Sequence, residues 1–183
     1  MELYFIRYGY AMSQPMPTGK FCWLDRADVE KFDPLRDVSD DSGIGYIVEC
    51  TLQYPEEFHV DHNSLPLAAE KVHVTNDMLS AYAAEVLLNQ KGRSAAAKYK
   101  AQKLSCTFNQ REKYVCHGTC LKLYLELGMK LVKIHRVLSF EQSRFMKPYI
   151  DFCSQKRAES KTKSRGNVFK LCANSVFGKL ILM

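Results

Sequence analysis

Lys170-Leu171-Cys172-Ala173-Asn174-Ser175-Val176-Phe177-Gly178-Lys179 is the stretch on which the reading of this chain turns. At helical pitch Lys170, Asn174 and Phe177 stand at i, i+4 and i+7 and share one face. That face presents a cation, an amide and an aromatic ring in a row. A lysine can meet phosphates, an amide can hydrogen-bond, and a ring can stack on a base or sugar. Gly178 leaves room for a close backbone approach. The same three residues also fit a plain surface stripe with one core anchor.

Working back from this helix, the pattern is mixed. Pro148 suits the first position of another helix, burying Tyr149, Phe152 and Cys153. Between the two helices residues 155–166 are basic, with Lys156, Arg157, Lys161, Lys163 and Arg165 against Glu159. Residues 130–140 read as a long strand with Val132, Ile134, Leu138 and Phe140 on one face. Residues 113–117 read as a short strand, and 121–127 as a short helix ended by Gly128. Met78, Leu79, Tyr82, Val86 and Leu87 fall at helical spacing, with Thr75 or Asn76 as cap, Asp77 in the first turn and Lys91-Gly92 as the stop. Residues 93–112, rich in Ala, Lys and Gln, fit either a helix or a mobile connection. In 46–54, Tyr46, Val48, Cys50, Leu52 and Tyr54 alternate with Glu49, Thr51 and Gln53, the signature of a half-buried strand. A short helix is expected over 28–32. The class is α+β, with no internal repeat.

At 183 residues, 46% hydrophobic and 25% charged, the composition is that of one globular domain and excludes wholesale disorder. Nine Gly and six Pro exclude a collagen-like chain. Apolar runs such as Val86-Leu87-Leu88 are too short to span a bilayer. Glu2 sits where a signal peptide carries its basic region. The net charge of +6 is unevenly distributed. Residues 1–70 carry five basic and thirteen acidic side chains, a net of −8, and residues 71–183 carry 21 and seven, a net of +14. A basic half of that size suits a polyanion such as nucleic acid, or is simply a solvated face. The seven Cys are odd in number and irregularly spaced, and read as free thiols in a reducing, intracellular compartment. Cys106, Cys116, His117 and Cys120 offer a weak zinc alternative, as do His59 and His62 with Asp61, although Pro55 and Pro66 bracket the latter as a loop.

Phe169-Lys170-Leu171, Asn174-Ser175 and Phe177-Gly178-Lys179 together resemble the second polymerase motif of family B DNA polymerases, Lys-x-x-x-Asn-Ser-x-Tyr-Gly. The resemblance is to the protein-primed branch of phages, adenoviruses, linear plasmids and Maverick or Polinton transposons. Tyr8-Gly9-Tyr10-Ala11-Met12-Ser13-Gln14-Pro15-Met16-Pro17-Thr18-Gly19 resembles the tail of that branch's first motif. Gly45 to Tyr54-Pro55 and His62-Asn63 with Pro66-Leu67-Ala68 resemble the palm strand and loop that follow. Lys133-Ile134-His135-Arg136-Val137-Leu138, Phe140-Glu141-Gln142 and Lys147-Pro148-Tyr149-Ile150-Asp151-Phe152 resemble the strand and helix entering the fingers. The ordered matches cover most of residues 8–179.

The resemblance implies an α+β fold made of a partial polymerase palm sheet with an α-helical fingers segment. It divides the chain into a partial palm over 1–75, a helical and strand connection over 76–142, and fingers helices over 143–183. The implied chemistry is template-directed nucleotidyl transfer onto a primer hydroxyl, with Mg²⁺ ions clamping the attacking and leaving oxygens. The implied partners are a DNA template and primer, a deoxynucleoside triphosphate and a terminal protein primer, with no membrane. The implied location is the nucleus for a eukaryotic transposon or the mitochondrion for a linear plasmid. Lys170, Asn174, Phe177 and Gly178 would bind nucleotide, and Lys156, Arg157, Lys161, Lys163, Arg165 and Lys179 would bind DNA. Leu3 occupies the position of the first-motif metal aspartate, and Phe177 replaces the usual Tyr. The chain ends at Met183, shortly after the second motif. The expectation is therefore an internal palm and fingers piece, inactive alone, and the alternative is a non-catalytic nucleic-acid-binding remnant of a mobile-element or viral polymerase.

Overall fold

The computed structural model describes residues 9–39, 42–75, 78–97 and 101–181, with side chains except at 90–97, 101 and 179–181. Leu3, Tyr8, Asn76, Asp77 and the Lys179 side chain, all named above, lie outside the described residues. The fold is α+β. Strands β1 (Met16–Trp23), β2 (Ile44–Gln53), β5 (Arg111–His117) and β6 (Lys130–Ser143) form one sheet in the order β1-β6-β2-β5, and β3 (Glu70–Val74) pairs with β4 (Ala101–Ser105). The helices are α1 (Arg26–Lys31), α2 (Pro34–Asp37), α3 (Ala81–Ala97), α4 (Gly118–Glu126), α5 (Lys147–Ala158) and α6 (Lys163–Ile181), after a helical turn at 9–13. Two compact units divide the chain: Met1–Glu49, Val115–Leu123 and Ile134–Met183 form the first, and Cys50–Tyr114 and Tyr124–Lys133 the second. The units interleave in sequence, so the ranges 1–75, 76–142 and 143–183 remain a division by motif.

In the first unit β1 runs antiparallel to β6, from Met16 opposite Ser143 to Trp23 opposite Leu138. Eight residues of β1 thus face six of β6, and the register shifts on either side of Gly19 take up the difference. Gly19 and Lys20 supply the positive φ values, 150° and 51°, that such bulges need. Opposite this bulged stretch the alternation expected of β6 breaks. Val137 and Phe140 are buried and Leu138 is half-buried, because bulges increase the local twist; Val132, outside this paired stretch, is exposed. Phe140 fills the space over Gly45, where a Cβ would overlap its ring. Asp25 caps α1 by accepting from Asp28 N at 2.8 Å, and Asp33 caps α2 through Leu35 N at 3.0 Å with Pro34 in its first turn. Helix α6 runs well beyond Lys170 and Phe177 on either side, from Lys163 to Ile181.

Helices α5 and α6 pack through Ile150, Cys153 and Ala173, and Met12 from the turn at 9–13 joins this cluster. The expected burial of Tyr149 and Phe152 does not hold. Tyr149 is 38% and Phe152 52% exposed, because the core stripe of α5 is Ile150 and Cys153. Those two rings close the rim of the helix pair instead. Tyr149 Oη donates to the Cys172 carbonyl at 3.2 Å, and Phe152 meets Phe169 edge-on at 6.4 Å.

In the second unit Cys50, Leu52 and Tyr54 are buried as the alternation predicts. Thr51 is buried as well, its hydroxyl donating to Glu112 Oε2 at 3.1 Å. Of residues 93–112, ambiguous in sequence, 93–97 end α3, 111–112 begin β5, and 101–105 form β4, which pairs antiparallel with β3 from Glu70 opposite Ser105 to Val74 opposite Ala101. Helix α3 begins later than expected, with Ala83 N donating to Ser80 Oγ at 3.2 Å, and it runs through Gly92. A helical glycine costs about 1 kcal/mol, too little to stop a helix that continues into Ala95-Ala96-Ala97. Gly128, at φ 100°, ends α4 as predicted, and a Cβ there would overlap the Phe58 ring.

The polar centre of the second unit is Arg111, 0% exposed. Its Nε donates to the Ala68 carbonyl at 2.8 Å, one terminal nitrogen to Thr107 Oγ1 at 3.0 Å and to the Asn109 carbonyl at 2.7 Å, and the other to the Thr107 carbonyl at 2.5 Å. Glu70 Oε1 lies 3.1 Å away. The His59 and His62 cluster proves to be an aromatic one. His62 Nδ1 is bonded to Tyr54 Oη at 2.5 Å, and His59 stacks on Phe108 with centroids 4.2 Å apart.

Candidate nucleotide site

The first unit contains a cavity of about 620 Å³. Three pieces of chain line it. The turn at 9–13 gives Gly9, Tyr10 and Ser13; α5 gives Asp151, Ser154 and Arg157; α6 gives Ala173 and Asn174. Met12, on the opposite side of the turn, is locked into the core with Ala173, and this contact holds the turn against α6. Ser13 Oγ and Gln14 Nε2 both donate to the Tyr10 carbonyl, at 2.7 and 3.3 Å, which fixes the end of the turn. The Tyr10 ring is left 65% exposed at the cavity.

The cation, amide and ring of α6 do share a face, because the helix is continuous from Lys163 to Ile181. Their surroundings differ. Asn174 is exposed and lines the cavity. Lys170 is half-buried one turn earlier. Phe177 packs, half-buried, against the Met12–Ile150–Cys153–Ala173 cluster. Its ring therefore supports the cavity wall. Gly178 is exposed, and a Cβ there would meet nothing within 4 Å.

The basic run occupies the end of α5, the turn and the start of α6. Arg157 lines the cavity, and Lys161, Lys163 and Arg165 are exposed. Lys156 is held by Glu159 at 2.8 Å. The Lys156 ammonium and the Gln155 amide in turn keep the Glu159 carboxyl below its ordinary value. Asp151 and Ser154 were not singled out by sequence reasoning. Their signal was available, since 151, 154 and 158 fall on one helical stripe beside Arg157. Asp151 is bonded to Lys147 Nζ at 2.8 Å. Among the described residues no group of three His, Cys, Asp or Glu is placed to hold a metal. No helix among them is long and apolar enough to cross a membrane.

The cavity wall therefore offers a guanidinium, two serine hydroxyls, an amide, an exposed phenol ring and a carboxylate already paired with lysine. This set can hold a phosphate-bearing, hydroxyl-rich ligand of moderate size, in the range usual for small-molecule sites.

No protein-family model and no curated protein matches the chain. Among solved structures it is similar to phi29 DNA polymerase in an orthorhombic crystal form, at 15% identity and a TM-score of 0.47, covering 94% of this chain and 24% of that one. It is also similar to phi29 DNA polymerase complexed with primer-template DNA and incoming nucleotide substrates, at 16% identity and a TM-score of 0.45, with the same coverage. The chain thus spans about a quarter of the length of these structures.

Proposed function

We propose that this chain is a palm and fingers portion of a protein-primed family B DNA polymerase whose cavity receives the incoming deoxynucleotide. One observation carries the reading. The turn at 9–13, from the stretch resembling the first polymerase motif, and Asn174, from the second, line the same cavity although some 160 residues separate them. Motif resemblance alone does not require that proximity. Arg157 and Lys170 serve the triphosphate, Asn174 hydrogen-bonds the sugar or base, and Phe177 sets the angle of α6 from below. Lys161, Lys163 and Arg165 track template or primer phosphates in a sequence-independent manner.

Nucleotidyl transfer by the family uses two Mg²⁺ ions held by carboxylates. The donor set at this cavity does not fit them. Asp151 is the one carboxylate on its described wall, and Lys147 already pairs with it. We therefore assign this chain nucleotide and DNA binding and derive no transfer step through a metal. The same mismatch favours the second reading, a non-catalytic nucleic-acid-binding remnant. Primer extension with magnesium separates the two, since metal-dependent incorporation would reject the remnant. The binding reading is tested by titrating a labelled deoxynucleoside triphosphate against the protein and its Lys170→Ala variant. Loss of a charge-assisted phosphate contact should weaken affinity about tenfold or more. Equal affinity would remove Lys170 from the site.

A further inference from the structure

We infer that Cys153 and Cys172 are a redox pair that, on oxidation, forms a disulfide stapling α5 to α6. All seven cysteines are free thiols in this structure. These two come from facing helices. Cys153, 3% exposed, belongs to the α5–α6 core with Ile150 and Ala173, and Cys172 packs against that cluster from α6. One hydroxyl links them. Tyr149 Oη donates its proton to the Cys172 carbonyl at 3.2 Å, and its lone pair accepts from the Cys153 thiol. The Cys153 sulfur and the Cys172 backbone are thus neighbours of a single oxygen atom. The two helices also approach closely where the turn joins them, since a Cβ on Gly166 would lie 3.9 Å from the Arg157 carbonyl oxygen.

The two thiols differ in access, as a reactive and a resolving cysteine do. Cys172 is half-buried and Cys153 is sealed. With a peroxide as oxidant, the Cys172 thiolate attacks the O–O bond, which breaks to release hydroxide and leaves Cys172 as a sulfenic acid. The Cys153 sulfur then displaces that hydroxyl, and the S–S bond forms. Both thiols are oxidised, and the peroxide leaves reduced, its oxygens taking up the thiol protons as water. The link closes a loop of about 20 residues, a span over which a cross-link stabilises appreciably. Ser154 follows Cys153, and Ala173 and Asn174 follow Cys172, so the staple fixes the separation of two cavity walls. Cys116 and Cys120 are the competing pair. Burial and the nearby Cys116 push the Cys120 thiol up, which keeps it protonated and slower to react.

The test treats the full chain with hydrogen peroxide, alkylates the remaining thiols and maps the peptides without reduction. A Cys153–Cys172 peptide should form and should vanish with dithiothreitol. The melting temperature of the oxidised protein should rise by about 6–12 °C. Cys172→Ser should abolish both effects, and Cys22→Ser, at an exposed strand position, should leave both unchanged. The map reads the native chain directly, so it does not depend on how the variants fold. A Cys116–Cys120 link in place of this one, Cys172 carried to sulfinic acid beside an alkylated Cys153, or complete alkylation of every thiol would each overturn the inference. So would a Cys153–Cys172 link that left the melting temperature unchanged, since the two helices would then not be stapled by it. None of these readouts involves a nucleotide.

Discussion

Removing the Arg111 side chain should unfold the second unit at much lower denaturant concentration. The guanidinium is sealed from solvent and meets five acceptors between 2.5 and 3.1 Å: the carbonyls of Ala68, Thr107 and Asn109, Thr107 Oγ1 and the Glu70 carboxylate. Three of these are backbone carbonyls, which no compensating substitution can delete. Arg111→Ala therefore leaves orphaned acceptors, each costing about 1–3 kcal/mol where water cannot reach it, and an unpaired Glu70. These terms do not add, since the truncated site admits some water and Glu70 is partly exposed. Breaking a buried charged pair by deleting one partner costs about 3–5 kcal/mol, and we take that as the total. A domain is stable by only about 5–15 kcal/mol. With a urea dependence of about 2 kcal/mol per molar, the midpoint should fall by about 2 M.

Arg111→Lys is the sharper variant. It keeps the charge but replaces the planar fork with a single ammonium that cannot reach from Ala68 to Thr107 and Asn109 together. It should lose about 2 kcal/mol, less than Arg111→Ala. The assay is urea unfolding followed by far-ultraviolet circular dichroism, alongside fluorescence of Trp23, the single tryptophan of the chain, which lies in the first unit. Hydrogen exchange at the β3 and β4 amides reports the second unit directly. A loss under about 1 kcal/mol for Arg111→Ala, or full stability in Arg111→Lys, would refute the idea that this fork organises the second unit.

Gly45→Ala should destabilise by about 1–3 kcal/mol, because the new Cβ runs into a buried Phe140 ring that has nowhere to move; Gly43→Ala, with nothing within 4 Å, is the matched control in the same melt. The Asp37 carboxyl is held below its ordinary value near 3.8 by its bond with Arg36 and by the Asp33 backbone N–H. Its folded form is the easier to ionise, so its stabilisation is present above about pH 4 and is lost as the pH falls through the lowered value. The stability gap between wild type and Asp37→Asn should accordingly close in acid, and a gap constant from pH 6 to pH 2 would contradict the assignment. If Lys161, Lys163 and Arg165 contact phosphates, replacing all three with Gln should flatten the log–log salt dependence of duplex DNA binding by about 2–3, and an unchanged slope would place the contacts elsewhere.

What was legible in the sequence was whatever a single element decides for itself. The 46–54 alternation gave a strand because Val48, Cys50 and Leu52 need only one buried face to declare it. Lys170, Asn174 and Phe177 share a face because helical pitch alone puts them there. The misreadings lie where a neighbour decides. Whether Tyr149 or Ile150 enters the core depends on where Met12 and Ala173 arrive, and that contact is made by residues remote in sequence. Phe177 illustrates the same limit at the site: as a ring on a helix it can face a ligand or a core, and the arrival of the turn at 9–13 gives it a core to pack on. Arg111 was invisible for a further reason. One arginine in a strand of Arg-Glu-Lys-Tyr reads as a solvent-facing charge, and only the loops carrying Ala68, Thr107 and Asn109 supply the carbonyls that make its burial favourable. Asp151 combines both cases. Its helical register could be read in advance, but its place on the cavity wall depends on a turn that lies some 140 residues upstream. Residues whose role depends on distant chain are therefore the ones to mutate first, since the sequence constrains their function least.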